Sequence, residues 1–334
     1  MHDAHRFLAR RRMLAATGLA VAGVAAFPGA VWAQADAWPN KPLRVIVNFP
    51  PGSSPDVLAR AVSLPLQQAL GQPVVVENRS GASGMIGAEV VARAPADGHT
   101  LLMTAGSTIT TNPFIYAKIP YDTARDLVPV AAAARIVLFL VAKPGLPVKD
   151  VREFLAYLKA NPGKLSYGSA GNGTGLHLAG EMLKSQAGVF AVHVPYRGAA
   201  PALQDLLAGQ IDFYFDPGIA LGHVRAGKLR MLAVAALRRS AVFPDAPTLD
   251  EAGLKGFDAG TTHGFYAPAG TPPEIVNRLN LEINRSLALP NVRSQIMAIG
   301  AEPTPLTLAQ FSAQMQDDSK RYAAIIKERK IQAD

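Results

Sequence analysis

The sequence predicts an α/β fold of two domains, and three observations lead there. Short β-branched runs alternate with segments of helical spacing. The same strand-turn-helix order recurs after a long apolar stretch. Two glycine-rich turns, Phe49-Pro-Pro-Gly-Ser-Ser-Pro-Asp56 and Tyr167-Gly-Ser-Ala-Gly-Asn-Gly-Thr-Gly175, each join a strand pattern to a helix pattern. Near-continuous apolar strands alternating with helices are the pattern of a mostly parallel sheet covered on both faces.

Ahead of the first strand, Arg10-Arg11-Arg12-Met13-Leu14 leads into an apolar run ending near Phe27, then Val31-Trp32-Ala33 before Gln34. These are the charged region, apolar region and small-residue cleavage site of an export signal peptide over residues 1–33, cut after Ala33. The arginine doublet followed by Met13-Leu14 matches a twin-arginine signal, although an ordinary secretory leader would also accept it. The run is short for a membrane span and contains Gly18 and Gly23, so the mature chain is expected to lie in the periplasm with no direct membrane anchor.

The elements then follow in order. Leu43–Phe49 is a β-branched run stopped by Pro50-Pro51, and Asp56 to Leu70 places Val57, Leu58, Ala61 and Leu66 on one side of a helix. Pro73–Glu77 is the second strand; a turn through Asn78–Gly84 leads to a helix carrying Ala88, Val91 and Ala92, and Thr100–Thr104 is the third strand. The apolar stretch Leu127 to Ala142 reads as a crossing into a second domain whose first strand is Val137–Val141. There a helix from Val148 to Ala160 is stopped by Asn161-Pro162-Gly163, and strand Ser166-Tyr167, the second glycine-rich turn and a helix from His177 to Gln186 follow. Further strands are Ala191–Val194, Ile211–Phe215 and Arg230–Val234. The chain returns through Phe243–Thr248 to Gly264–Pro268 and ends in helices Pro273–Ala288 and Leu308–Ile325, whose apolar faces are most easily buried on the first domain. The expected division is residues 36–136 with 237–334 for domain 1 and 137–236 for domain 2.

Composition limits the function. The 334 residues are 49% hydrophobic and include no cysteine, which excludes lipoprotein anchoring, disulfides, thiolate catalysis and cysteine zinc sites. Of the formal charge of +8, the leader's four arginines and one aspartate account for +3, leaving +5 on the mature chain. Its lysines and arginines are scattered, without the basic run or basic-aromatic interleaving that nucleic-acid binding needs.

The two glycine-rich turns are candidate anion cradles, because the first N–H groups of the following helix are unpaired and its dipole favours negative charge. In the first turn Gly52 allows close backbone approach, Ser53 adds a hydroxyl and Asp56 caps the helix or orders the loop; a plain strand-helix turn is the alternative. Phe49 is a cleft wall or a core residue. Ser107 and Thr108 end the third strand at the same sheet edge. In the second turn Ser169, Gly171 and Thr174 are neutral donors for the opposite end of a solute. His177 is a ligand contact or a satisfied interdomain histidine. Tyr196, Gly198 and Ala199 form a third turn in which the tyrosine covers the ligand or simply sits at a boundary. Asp216 would meet an ammonium group or repel a second carboxylate, or else acts as a hinge or helix cap. Arg79 and Arg197 lie beside glycines in loops, where a surface ion pair is the commoner outcome than a carboxylate clamp.

Taken in order and spacing, a set of segments resembles the extracytoplasmic receptors of tripartite tricarboxylate transporters, also called the Bordetella uptake gene (Bug) family. They are Phe49–Asp56, Val76-Glu-Asn-Arg79 with Gly81 and Gly84, Pro95-Ala-Asp-Gly98, Tyr167–Gly171 with His177-Leu178, Val194-Pro-Tyr-Arg-Gly198, Leu206–Asp212 and Ala267–Pro272. The resemblance implies a periplasmic-binding-protein type II fold with a ligand cleft between two hinged domains, and a monomeric receptor that hands an organic acid to a membrane permease. That acid is a di- or tricarboxylate, an acidic amino acid or an aromatic acid. Ser53 stands where the family usually has a second glycine, Ser80 where proline is common, and Thr262-His263 where tryptophan is frequent; these departures lie close to the expected cleft and bear on which ligand is bound rather than on the fold.

An enzyme fits less well. Tyr167 occupies the first glycine position that a Gly-x-Ser-x-Gly nucleophile elbow around Ser169 would need. Neither turn closes with Gly-Lys-Ser/Thr or carries the dinucleotide fingerprint. No histidine pair or carboxylate-histidine cluster suggests a metal, and no cofactor is expected. A periplasmic sensor signalling to a membrane kinase would use the same binding chemistry and is the alternative to uptake.

Overall fold

The computed structural model of the protein describes residues 38–332; the export segment and the cleavage point after Ala33 fall outside them. The β-branched and aliphatic runs form the strands. In the first half these are β1 (Leu43–Val47), β2 (Val74–Asn78), β3 (Thr100–Thr104) and β4 (Leu127–Ile136). They are followed by β5 (Phe139–Ala142), β6 (Ser166–Ser169), β7 (Val192–Pro195), β8 (Phe213–Asp216) and β9 (Arg230–Val234), and on the return by β10 (Thr261–Pro268) and β11 (Ala301–Pro303). Helices α1 (Ser54–Leu70), α2 (Met85–Ala92), α3 (Gly106–Thr110) and α4 (Asn112–Ile115) accompany the first strands. Helices α5 (Val151–Ala160), α6 (Gly175–Ala187), α7 (Ala199–Leu207) and α8 (Leu221–Arg225) accompany the middle ones, and α9 (Pro273–Ala288), α10 (Pro290–Ala298) and α11 (Leu308–Arg329) end the chain. Local signals set the ends: α1 starts on Pro55 and stops at left-handed Gly71, while α11 opens on a capping box between Thr307 and Gln310.

The strands form two sheets, ordered β11-β4-β10-β3-β1-β2 and β7-β6-β8-β5-β9. β1 runs parallel to β2 and β3, and β6 runs parallel to β7 and β8. The strands that carry the chain between sheets differ. β10 is antiparallel to both β3 and β4, and β5 is antiparallel to β8 and β9. The stretch Leu127–Ala142, expected as a crossing, is itself two strands, one in each sheet, with Val137 and Leu138 between them; the second begins at Phe139 rather than Val137.

After the return, α9 packs on β4 and α1, and α11 packs on α3 and β4 and reaches α6. The loops that leave β1, β3, β6, β7 and β8 gather where the two sheets face each other, the position at which open α/β sheets hold their ligands.

Candidate functional site

Those loops line a cavity of about 50 Å³. By the same measure one water needs about 10–15 Å³, so the space suits a few waters or one compact organic ion. The first sheet's loops supply Phe49, Ser53, Ser54, Pro55, Ala105, Ser107, Thr261 and His263, and the second sheet's side supplies Ala170, Thr174, Gly175, Leu176, Ala199 and Pro217. Ile136 and Leu138 form the floor where the chain crosses. Among the described residues, no charged side chain lines it. Three helices of eight residues or more begin at its wall: α1 after Ser53, α6 after Thr174 and α7 at Ala199. Three convergent helix N-termini give a neutral cavity a positive field.

The polar atoms of the first wall remain available. Ser53, extended before α1, makes no cap bond with its side chain, and its buried Oγ has no partner. Thr261 Oγ1, also buried, has none either. Ser107 is buried beside them. His263 enters where β10 shifts register against β4, a bulge that re-aims a side chain. Its Nε2 lies 3.1 Å from Ser54 Oγ, and its Nδ1 accepts the Gly106 N–H at 3.4 Å. Burial lowers its pKa to about 3, so the ring is neutral at physiological pH. Gly106 has no room for a side chain: an added Cβ would lie 2.1 Å from Thr261 Oγ1 and 2.6 Å from Thr262 O.

A larger chamber of about 530 Å³, called here the outer chamber, shares Phe49 and Ala170 with this one. It is lined by Asn48, Pro50, Ser80–Gly84, Gly171 and Tyr196–Gly198. Here Ser83 Oγ donates to Asn172 O across the two sides at 3.1 Å, and Tyr116 OH donates to Ser83 Oγ at 2.7 Å. Ala82 and Ser83 hold left-handed backbone (φ 46° and 50°), a conformation that side chains adopt at a cost and that the surrounding contacts maintain. Arg197 is the one charged residue on this lining; it is exposed and has no ion pair among the described residues.

The residues expected from the sequence divide between lining and support. Phe49, Ser53, Ser107, Thr174 and Ala199 line the smaller cavity, and Phe49, Gly171, Tyr196 and Gly198 line the outer chamber. Six others do not line either. Gly52 is exposed and its N–H donates to Asp56 Oδ2 at 2.9 Å, so that amide is not offered to a solute. Asp56 orders the loop, also accepting Asn78 Nδ2 at 2.9 Å and Arg60 Nε at 3.0 Å. Burial opposes its ionisation, but Arg60, the Gly52 amide and Asn78 outweigh burial and hold the carboxyl below its usual range. Thr108 accepts from Asn48 Nδ2 at 3.2 Å inside the first half. Ser169 Oγ sits 2.7 Å from His193 Nε2 and accepts the Gly171 N–H at 3.1 Å. His177 accepts the Gly173 N–H at 3.0 Å and stacks on His193 with ring centroids 4.0 Å apart. Burial lowers these histidines to about 4 and about 3.

Asp216 is wholly buried, and its oxygens accept from the N–H groups of Gly218 at 2.8 Å and Ala220 at 3.0 Å. It is a loop cap with no oxygen aimed at a solute. Burial raises its carboxyl to about 7 against the pull of those amides. Sequence reasoning gave Ser54 and Thr261 no contact role, and flagged His263 only as a departure from the family close to the expected cleft. The signal was a histidine in a strand of otherwise small and apolar residues.

Among the described residues no helix is long and apolar enough to cross a membrane, and no cluster of histidine and carboxylates could hold a metal ion. Residues 58–331 match the family described as "Tripartite tricarboxylate transporter family receptor". The chain is 39% identical to the "UPF0065 protein in tcbD-tcbE intergenic region" of Pseudomonas sp. (strain P51), over 98% of this chain and 96% of that one. It is 38% identical to protein BugT of Bordetella pertussis, over 95% and 97%. Among solved structures it is similar to Rpa4515 of R. palustris with adipate (33% identity, TM-score 0.84, 89% of this chain and 99% of that one). It is also similar to MatC of Rhodopseudomonas palustris with bound malate (34% identity, TM-score 0.78, 86% and 99%). Matched over most of its length and built on the same two-sheet fold, the chain belongs to the tripartite tricarboxylate transporter receptor family, a family of periplasmic solute-binding proteins rather than enzymes.

Proposed function

We propose that the protein captures a small organic carboxylate in the smaller cavity and delivers it to a membrane permease of the tripartite tricarboxylate type. One observation carries the reading: three helix N-termini and the unpartnered hydroxyls of Ser53 and Thr261 converge on a cavity with no charged side chain. Such a cavity favours an anion by dipoles and neutral donors and avoids the desolvation cost of a buried cation. The relatives solved with adipate and malate support the same ligand class.

Capture proceeds by closure of two lobes, residues 36–136 with 237–334 against 137–236. The anion docks on the first lobe at Ser53, Ser54 and Ser107, and the loops at Ala170–Thr174 and Tyr196–Ala199 then cover it. The Ser83–Asn172 bond belongs to the closed state. The protein is exported by a twin-arginine signal cleaved after Ala33 and acts as a monomer.

The test is thermal unfolding of the chain from Gln34, refolded to strip carried-over solute, against dicarboxylates, tricarboxylates, acidic amino acids and aromatic acids. A ligand at a hundredfold its Kd adds about 2.7 kcal/mol if it binds only the folded state. No shift with any acid removes the reading.

A further inference from the structure

The polar contacts of His263 have a consequence for Ser54 that rests on the anion-capture reading and goes further than it. The imidazole is neutral and buried, and both nitrogens are engaged. The Gly106 N–H can be accepted at Nδ1 only if that nitrogen carries no proton, so the ring proton sits on Nε2. Nε2–H therefore donates to Ser54 Oγ. The Ser54 hydroxyl has no other hydrogen-bond partner among the described residues, and Ser54 lines the cavity. With Nε2 protonated, the hydroxyl cannot give its proton to His263, so that proton stays free for an acceptor in the cavity that Ser54 lines.

We infer that His263 is a positioning residue that keeps the Ser54 hydroxyl proton free for the ligand, and that this donor favours a carboxylate oxygen over the corresponding amide because a hydrogen bond to an ionised acceptor is the stronger one. Gly106 belongs to the same device, because its close approach to Thr261 and Thr262 sets the amide that reads Nδ1. Glutamine at position 263 can place an N–H where Nε2 is and keep the donation to Ser54. Asparagine reaches only the Nδ1 position and loses it.

The first experiment needs no ligand: ¹⁵N–¹H correlation spectra of histidine-labelled protein, with His263 assigned by its absence in His263→Asn. A neutral Nε2–H tautomer from pH 5 to 8 is expected, and an Nδ1–H tautomer overturns the inference. The second measures Kd for paired acids and amides: adipate and adipamide, glutarate and glutaramide, benzoate and benzamide. For the best-binding acid, Ser54→Ala and His263→Asn should each weaken binding about tenfold and shrink the acid-to-amide ratio. His263→Gln should stay within about threefold of the parent. An acid that binds Ser54→Ala and the parent equally would overturn the inference while leaving anion capture intact. If no acid binds, anion capture fails and the donor role of Ser54 fails with it.

Discussion

The two walls of the cavity are built from the same materials and use them differently. Both consist of glycine-rich loops leading into helix N-termini, and both carry serines, threonines and a buried neutral histidine. On the first wall the hydroxyls of Ser53 and Thr261 are buried without partners, and both residues line the cavity. On the second wall Ser169 is held by His193 and Gly171, Thr174 Oγ1 donates to Gly171 O at 2.8 Å, and His177 holds Gly173. The first wall keeps its hydrogen-bonding capacity for a ligand; the second uses it to hold its own loop in shape. A capture surface needs open donors, whereas a cover needs a rigid outline that fits over them.

The largest expected effect is acid destabilisation, to which the second wall should contribute more. His177, His193 and His263 are neutral in the folded protein with values near 4, 3 and 3, and each takes up a proton near its ordinary value once unfolded. The unfolded state therefore binds more protons below about pH 6.5, and stability falls as pH drops from there toward 4. Each pKa unit corresponds to about 1.4 kcal/mol, so a single buried histidine contributes on the order of 3 kcal/mol by pH 4. Asp216, raised to about 7, works in the opposite sense, since its stabilisation is present at low pH and lost as pH rises from about 3.8 to 7. Three histidines outweigh one aspartate between pH 4 and 6.5. Urea unfolding across that range should show the loss. His177→Gln with His193→Gln should flatten the slope more than His263→Gln; an equal flattening would mean the walls do not differ in this respect.

Next in size is Gly106→Ala. Its Cβ would meet Thr261 Oγ1 and the Thr262 carbonyl, and the carbonyl is backbone that cannot swing aside. Overpacking of this kind costs about 3 kcal/mol and lowers the midpoint by about 5 °C for a chain of roughly 300 residues. Gly222, inside α8 with open space where a Cβ would go, is the control. Alanine there should leave the midpoint unchanged or slightly raised. Equal behaviour of the two variants would show that the first wall is not closely packed.

How much of this was legible in the sequence follows from what each residue answers to. Strand and helix order is set by local periodicity, so β1, β2, β3, α5, α9 and α11 could be placed closely from the chain alone. The antiparallel entry of β4, β5 and β10 could not, because pairing direction depends on where a distant segment lands. The loops that meet at the cavity were visible as glycine-rich turns, but not which polar atoms stay open. Gly52 has the features of an anion donor until Asp56, four residues on, takes its amide. Asp216 stands at the edge expected of a ligand contact, yet the turn folds Gly218 and Ala220 back onto it. His263 and Thr261 become site residues only through the bulge that turns β10 toward the cavity.

A paired substitution tests the division of labour at about 1–2 kcal/mol. Thr261→Val removes a buried hydroxyl that has no partner, so the ligand-free protein should be as stable or slightly more so. Its affinity for the best acid should fall about tenfold, near 1.4 kcal/mol. Ser169→Ala removes the partner of His193 Nε2 and of the Gly171 N–H. Leaving a buried group unpaired costs about 1–3 kcal/mol of stability. Its affinity should change less than that of Thr261→Val. Calorimetry and thermal unfolding of both variants decide the matter; a reversed pattern would assign capture to the second wall.

The smallest effect concerns the mouth. Arg197, exposed on the outer chamber, is the one charge there and is not neutralised by a partner. A cation at the entrance of a low-dielectric cleft raises the encounter rate of an anion and has little influence on a ligand already enclosed beyond Phe49. Arg197→Ala should therefore leave the midpoint within about 0.5 kcal/mol of the parent, as surface substitutions do. The association rate measured by stopped flow should drop a few-fold at low salt, and the difference should fade as ionic strength rises past about 0.15 M. The dissociation rate should not move. A faster dissociation in this variant would place part of the bound ligand in the outer chamber, and the first wall would then share the work of holding it with a residue from the second.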